Sequence, residues 1–298
     1  MITIIKKVAD VFGSQLKEAK VKNGFSLGKA VIAVFVALLS FGNANAQDDG
    51  KNMEDSYKPF KFGAHLKNMH LWHGFQVQSG PMVATNLEYT SRDSKFTLGF
   101  WGGASFASSG SPYKEFSTYA VYRFSDRFFT ELVTHNNFTD IAASGVGYNS
   151  WAYDRATAYN FADLNFGYNF DKISLYYGVI LFGQSSDVDR YADGALVNGS
   201  NLVYDANGDL TDSWTQYLEV KAKLFEKDGA TLTGILGGAW SFHTDNTFYT
   251  QGSGNIINVG LALAKKMSLG NYKLPVEVMA MWNPERKETN LQLDITLF

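Results

Sequence analysis

The sequence predicts an all-β protein, an up-and-down transmembrane antiparallel β-barrel of about twelve strands. Three observations predict it. Segments of period-two alternation recur along the chain, and that period puts successive side chains on opposite faces of a strand. Short polar turns alternate with long loops rich in Gly, Ser, Asn and Asp, the rhythm of a barrel with tight turns on one side of a membrane and long loops on the other. The chain closes on Leu291-Gln-Leu-Asp-Ile-Thr-Leu-Phe298, an alternating strand without overhang, as expected of a strand sealed into a closed sheet.

The first element reads as an export signal over residues 1–46. Lys17, Lys20, Lys22 and Lys29 precede the apolar run Ala30 to Phe41, and Ala44-Asn45-Ala46 then offers small residues for cleavage after Ala46. The run holds 12 residues, fewer than the roughly 17 to 25 of a spanning helix. Residues 47–59 read as a periplasmic N-terminal segment and 60–298 as the barrel. Of 26 basic and 29 acidic residues, six lysines and two acids fall in the signal, leaving 20 against 27. That acidic balance argues against nucleic acid as a partner. The absence of cysteine excludes disulfides and thiolate metal sites. Aromatic residues make up 15% of the chain while its mean hydropathy is slightly negative, the combination produced by lumen-facing polar residues and interfacial aromatic girdles.

The strands follow in order. Phe60 to Phe75 enters after Pro59, and Met82 to Thr90 after Pro81, both prolines standing where a missing ladder donor does least harm. Ser91 to Lys95 turns the chain into Phe96 to Phe106. Glu115 to Ser125 and Phe128 to His135 are joined by Ser125-Asp126-Arg127, and Ala158 to Phe170 and Ile173 to Gln184 by Asp171-Lys172. Trp214 to Phe225 and Ala230 to His243 flank the turn Glu226 to Gly229. Ile256 to Lys265 and Lys273 to Trp282 flank Met267 to Tyr272, and Asn290 to Phe298 closes the set. The long connections are Asn136 to Thr157, Ser185 to Ser213 and Thr244 to Asn255. An even strand count with short periplasmic turns leaves both termini periplasmic.

Alternation alone does not say which face points inward, since a soluble barrel or sandwich would bury Leu274, Val276, Val278 and Ala280 that a membrane barrel turns to lipid. The loop rhythm favours the membrane. So does Phe298, a terminal aromatic of the kind the barrel-assembly machinery reads, although the apolar residues Leu293, Ile295 and Leu297 fall one position out of phase with it. The polar face carries Glu88, Arg123, Glu131, Asp163, Glu219, Lys221, Lys223, Glu277 and Asp294, which suits a wet lumen. Leu164, Phe166, Val220, Val278 and Leu293 are then expected to face lipid.

Leu71-Trp72-His73-Gly74, Pro81, Gly99-Phe100-Trp101-Gly102 and Tyr113-Lys114-Glu115 resemble the Gcw_chp family of exported Gram-negative proteins over about Phe60 to Asp140. The family carries Arg where this chain has His73. The resemblance implies an outer-membrane barrel of undefined function and supplies no catalytic residues.

Candidate sites are few. By parity His73, Trp101, Glu115, Arg123, Glu131, Glu219 and Lys221 point into the lumen, where they are candidates for a gate or solute filter, and a wall-mounted His73 would titrate near pH 6 to 7. His70 and His73 stand on opposite faces of one strand in that reading, beside an interfacial Trp72, and cannot share a metal. Asp205, Asn207 and Asp209 match the first half of a calcium loop, but Leu210 replaces its Gly and Gln216 its Glu. Asp187, Asp189, Asp193 and Asp212 would have to complete a looser calcium site, and no other cofactor is expected. Ser241, His243 and Asp245 share a parity, yet no nucleophile-elbow motif accompanies them, so no enzyme is expected. Two functions remain: a narrow channel for small polar solutes, or a non-conducting accessory subunit partnered with other outer-membrane proteins. Both imply outer-membrane lipid and the assembly machinery as partners.

Overall fold

The computed structural model describes residues 57–106, 113–137, 152–153, 160–183, 187–191, 195–196, 200–270 and 272–297. The signal segment, most of 47–59 and Phe298 lie outside the described residues. The strands are β1 (Phe60–Lys67), β2 (His70–Trp72), β3 (Phe75–Gln78), β4 (Met82–Thr90), β5 (Phe96–Ser105), β6 (Lys114–Arg123), β7 (Phe128–Asn137), β8 (Phe161–Asn169), β9 (Ile173–Gly183), β10 (Gln216–Lys227), β11 (Ala230–Trp240), β12 (Gly254–Leu269), β13 (Tyr272–Asn283) and β14 (Glu288–Thr296). Twelve of them form one closed antiparallel barrel, each paired with its chain neighbour and β1 sealed to β14, while β2 and β3 pair only with each other.

Closure rests on His65↔Thr296, Leu66↔Ile295 and Lys67↔Asp294, extended by Leu297 N–H donating to Ala64 O at 2.8 Å. The alternating last strand thus finds its partner in the first, and no edge remains to be protected. The connections β4–β5, β6–β7, β8–β9, β10–β11 and β12–β13 are the tight ones. At β10–β11, Asp228 (φ 51°) and Gly229 (φ 71°) adopt the left-handed backbone that a two-residue hairpin turn requires.

One face of each wall strand is apolar and exposed. Leu87, Phe100, Leu218, Leu236, Leu261, Leu263, Leu291 and Leu293 all stand outward and open, and Leu164, Phe166, Val220 and Val278 share that face. The opposite face holds the buried Asp163, Asn165, Glu219, Asn258 and Gln292. A polar interior with an apolar exterior is the inverse of a soluble core and belongs to a transmembrane barrel of the outer-membrane type. Toward the short-turn end the outer surface carries an aromatic belt: Phe60 packs on Tyr89 at 5.7 Å, Tyr122 on Phe124 at 5.0 Å, Phe124 on Phe128 at 5.1 Å and Tyr168 on Phe170 at 4.7 Å. Such a girdle marks the membrane interface.

The segment Phe60 to Phe75 departs from expectation. The wall strand stops at Lys67, and the chain turns inward as the β2–β3 hairpin before rejoining the wall at Met82. Its reversal is His73-Gly74, with Trp72 paired to Phe75 and φ of 46° and 85°, the two positive values of a type I′ turn. Alternation in Leu71-Trp-His-Gly-Phe-Gln-Val reads the same in a wall strand and in a hairpin, which is why the period did not separate them.

Candidate functional site: a hairpin that divides the lumen

The hairpin lies across the barrel and touches most of its wall. Leu71 N–H donates to Gln292 Oε1 of β14 at 2.9 Å and Asn283 Nδ2 of β13 to Gly74 O at 2.9 Å. A Cβ on Gly74 would sit 2.1 Å from Ile257 O of β12. The His73 ring stacks between Trp72 (4.2 Å) and Tyr217 of β10 (4.1 Å), and its Nδ1 is 3.0 Å from the Tyr249 hydroxyl. Trp72 reaches His135 of β7 at 5.3 Å and Phe161 of β8 at 6.0 Å, while His70 stacks on Trp101 of β5 at 5.4 Å. The β11–β12 loop folds in above, so that Phe75, Tyr217, Ala239, Tyr249 and Ile257 form one apolar cluster with Trp72 and Phe248 against it. His70, Trp72 and His73 are therefore plug residues, not wall residues as the sequence predicts.

Two compartments result. The larger, about 990 Å³, follows the β4–β7 wall and is lined by Trp101, Glu115, Arg123 and Glu131 among others. The smaller, about 390 Å³, lies against β9–β13 and is lined by His73, Glu219 and Lys221. The seven residues assigned to the lumen by parity thus line these two cavities, which adjoin at Trp72, Phe129 and Tyr176. His73 lines the smaller cavity, and Trp101 and Glu115 line the larger.

Within the larger compartment the charges sit in hydrogen-bonded groups. Glu115 accepts from the Tyr113 hydroxyl and, at 2.8 Å, from Ser117. The His135 ring bridges Glu115 (3.4 Å) and Asp163 (3.3 Å), and Asn165 donates to Asp163 at 3.1 Å. Tyr119 donates to Glu88 at 2.8 Å and Arg123 to Thr97 at 3.1 Å. In the smaller compartment Glu219 accepts from Tyr217 (2.6 Å) and Asn258 (2.9 Å) and pairs with Lys221 at 2.9 Å. Sequence reasoning placed Asp163 on the polar face but missed His135, Tyr217 and Tyr249 as lumen groups. Their parity was available for the first two, whereas Tyr249 comes from a loop whose inward path no periodicity records.

His73 lies in the hairpin turn, outside the spanning strands. Burial, opposed by Glu219 and Asp163, pushes its imidazole down to about 4, not to the 6 to 7 expected of a wall position. A depressed histidine favours the neutral ring, so its contribution to hairpin docking is present above the unfolded value near 6.5 and is lost as pH falls toward 4. NMR titration of the His73 ring should give no change between pH 7 and 6. A midpoint within that interval would place the ring in open water.

The remaining candidates lie in the loop-end connections. Asp205 Oδ1 accepts the N–H groups of Asn207 (2.8 Å) and Asp209 (2.9 Å), an Asx-type turn. Asp187 is buried and accepts from Thr215 N–H at 3.3 Å, and Asp193 lies outside the described residues. Among the described residues no group of three or more His, Asp or Glu side chains is placed to hold a metal. Ser241, His243 and Asp245 lie beyond the end of β11 in a loop and do not share a strand face. The Ser241 hydroxyl donates to Ser213 O at 2.6 Å and accepts from His243 N–H (3.0 Å) and Thr244 N–H (3.1 Å), which ties it into the loop's own structure.

No family model matches the chain, and no curated protein sequence matches it. Among solved structures it is similar to the outer membrane protein OpdK from Pseudomonas aeruginosa, with 13% identity, a TM-score of 0.35 and coverage of 80% of this chain and 60% of that one. It is also similar to an outer membrane channel from Pseudomonas putida, with 12% identity, a TM-score of 0.40 and coverage of 84% and 98%. LpxR from Salmonella typhimurium is similar at 9% identity, a TM-score of 0.34 and coverage of 80% and 99%. The chain spans 60% of the OpdK length. At such identities and TM-scores the likeness assigns no function.

Proposed function

We propose that the protein is a bacterial outer-membrane channel for small polar solutes, narrowed by the hairpin folded into its lumen. The observation that carries this reading is the larger compartment. It runs along the β4–β7 wall from Ser94 and Arg123 at the short-turn end to Asn137 and Arg286 at the loop end. Glu115 and Arg123 alone are eight positions apart on β6, about 26 Å of strand at about 3.3 Å per residue. Along that length charged, hydroxyl and aromatic side chains succeed one another, so a solute shedding water meets a protein partner at each level.

The charge pattern supports the same reading. Among the described residues neither Glu131 nor Arg123 has an oppositely charged group within 4.0 Å, and such groups are less costly to hydrate than to bury unpaired. Inward-facing side chains narrow the opposite half to a cavity of about 390 Å³, where Tyr217, Tyr249 and Ile257 pack beside it, so leaving this half wider is not imposed by barrel size. The expected result in planar bilayers is a small steady conductance that shrinks when Glu131 and Glu115 are replaced by Trp. A folded barrel that conducts no better than bare lipid would instead favour the accessory-subunit reading.

A further inference from the structure

The short-turn end carries a cationic feature that the lumen does not use. On the outer face of β12 the exposed series Leu261, Leu263, Lys265, Met267 places a lysine between apolar residues. On β10 the register shifts between Lys223 and Phe225, and the bulge brings Phe225 and Lys227 onto the same outer face. Lys227 pairs with Ala230, and Ala230 pairs with Lys265. Two exposed lysines therefore flank one alanine, their backbones about 10 Å apart by twice the interstrand spacing, with no bulky side chain between them.

Neither lysine is neutralised by the protein. Lys223, on the same strand as Lys227, is paired with Glu226 at 2.7 Å. Among the described residues Lys227 and Lys265 have no carboxylate within 4.0 Å. A lysine on the lipid face is tolerated near the interface and costly at the midplane, so Lys265 fixes this patch at headgroup depth, where its stem lies along apolar surface and its ammonium reaches outward. Phe225, Leu224 and Met267 stay exposed beside it, continuous with the lipid-facing wall.

We propose that Lys227 and Lys265 clamp the phosphate of an anionic glycerophospholipid in the periplasmic leaflet, its acyl chains lying on Phe225 and Met267. The charge of the two ends agrees. The described loop-end segments 187–191, 200–215, 241–253 and 284–288 hold eight acidic residues and three basic ones. The short-turn segments 57–59, 91–95, 124–127, 170–172, 226–229 and 265–270 hold eight basic residues and five acidic ones. Anionic headgroups are thus attracted to one leaflet and repelled from the other. This inference rests on the lipid-facing wall and is independent of conduction.

The test compares the parent, Lys227→Gln/Lys265→Gln, the same pair changed to Arg, and Lys95→Gln/Lys172→Gln as an exposed control. Each is held in nanodiscs of phosphatidylcholine containing one quarter phosphatidylglycerol, then extracted into mild detergent, and retained lipid is counted by native mass spectrometry. Retained phosphatidylglycerol should fall at least fivefold in the Gln pair, persist in the Arg pair and stay unchanged in the control. Equal retention in parent and Gln pair overturns the proposal, as does equal retention of phosphatidylcholine. Displacement of the lipid by millimolar inorganic phosphate alone would also overturn it, because a free anion would then be the better occupant.

Discussion

Replacing Gly74 by Val is expected to expel the hairpin from the lumen and raise the conductance of the barrel several-fold. Two independent obstacles act at this position. The backbone φ of 85° lies where a β-branched residue is strained by roughly 1 to 3 kcal/mol. A side chain would also meet the Ile257 carbonyl, 2.1 Å from the first carbon, and this bulged residue is anchored on both sides by the paired Ile256 and Asn258, so its backbone cannot withdraw as a flexible side chain can. Overpacking of that kind costs roughly 1 to 3 kcal/mol more. Together these weaken docking by roughly 2 to 6 kcal/mol, while the wall, paired through every other strand, is left intact. Loss of the Asn283 and Gln292 contacts should expose the Trp72 segment to protease added to the barrel in detergent. Unchanged conductance together with unchanged cleavage would mean that the hairpin is not held by this close approach.

Much of this architecture was legible in the sequence. The alternation of Leu291, Leu293 and Ile295 with Gln292 and Asp294 announced a sealed final strand, and the turn rhythm ordered the wall. Parity alone sent Trp101, Glu115, Arg123, Glu131, Glu219 and Lys221 inward, because a strand offers only two directions. What parity does not carry is which inward residues meet across the lumen, since those contacts depend on closure of the whole ring. The hairpin escaped for a local reason. Phe60 to Phe75 keeps its alternation through the break at Lys67, and the warning was its length together with His73-Gly74, a pair suited to two positive φ values between apolar neighbours. Lys227 escaped for another: the sequence assigns it to the turn Glu226 to Gly229, whereas β10 runs on to Lys227, and the bulge at Leu224, which has no period of its own, turns it outward.

Arginine at Leu164 or at Val278 should destabilise the barrel by roughly 2 to 4 kcal/mol, the cost of a cation at the bilayer midplane. Leu164 pairs with Leu132 and Val179, and Val278 with Leu263 and Leu293, so each stands mid-strand in a cross-strand row of apolar side chains. An arginine stem is too short to carry its guanidinium from there to the headgroups without thinning the lipid around it. The contrasting substitution is Val133→Arg on β7. Val133 lines the larger compartment and pairs with Asp163, so the new cation would enter a polar cavity near a carboxylate and should change stability by no more than about 1 kcal/mol. Urea unfolding of the three variants refolded into vesicles separates the faces, because a barrel turned inside out would reverse the order, with Val133→Arg the costly change and Leu164→Arg the mild one. Equal cost at all three positions would be harder still on the present assignment, since it would require the cavity along β4–β7 to be as dry as lipid and would remove the compartment on which conduction depends.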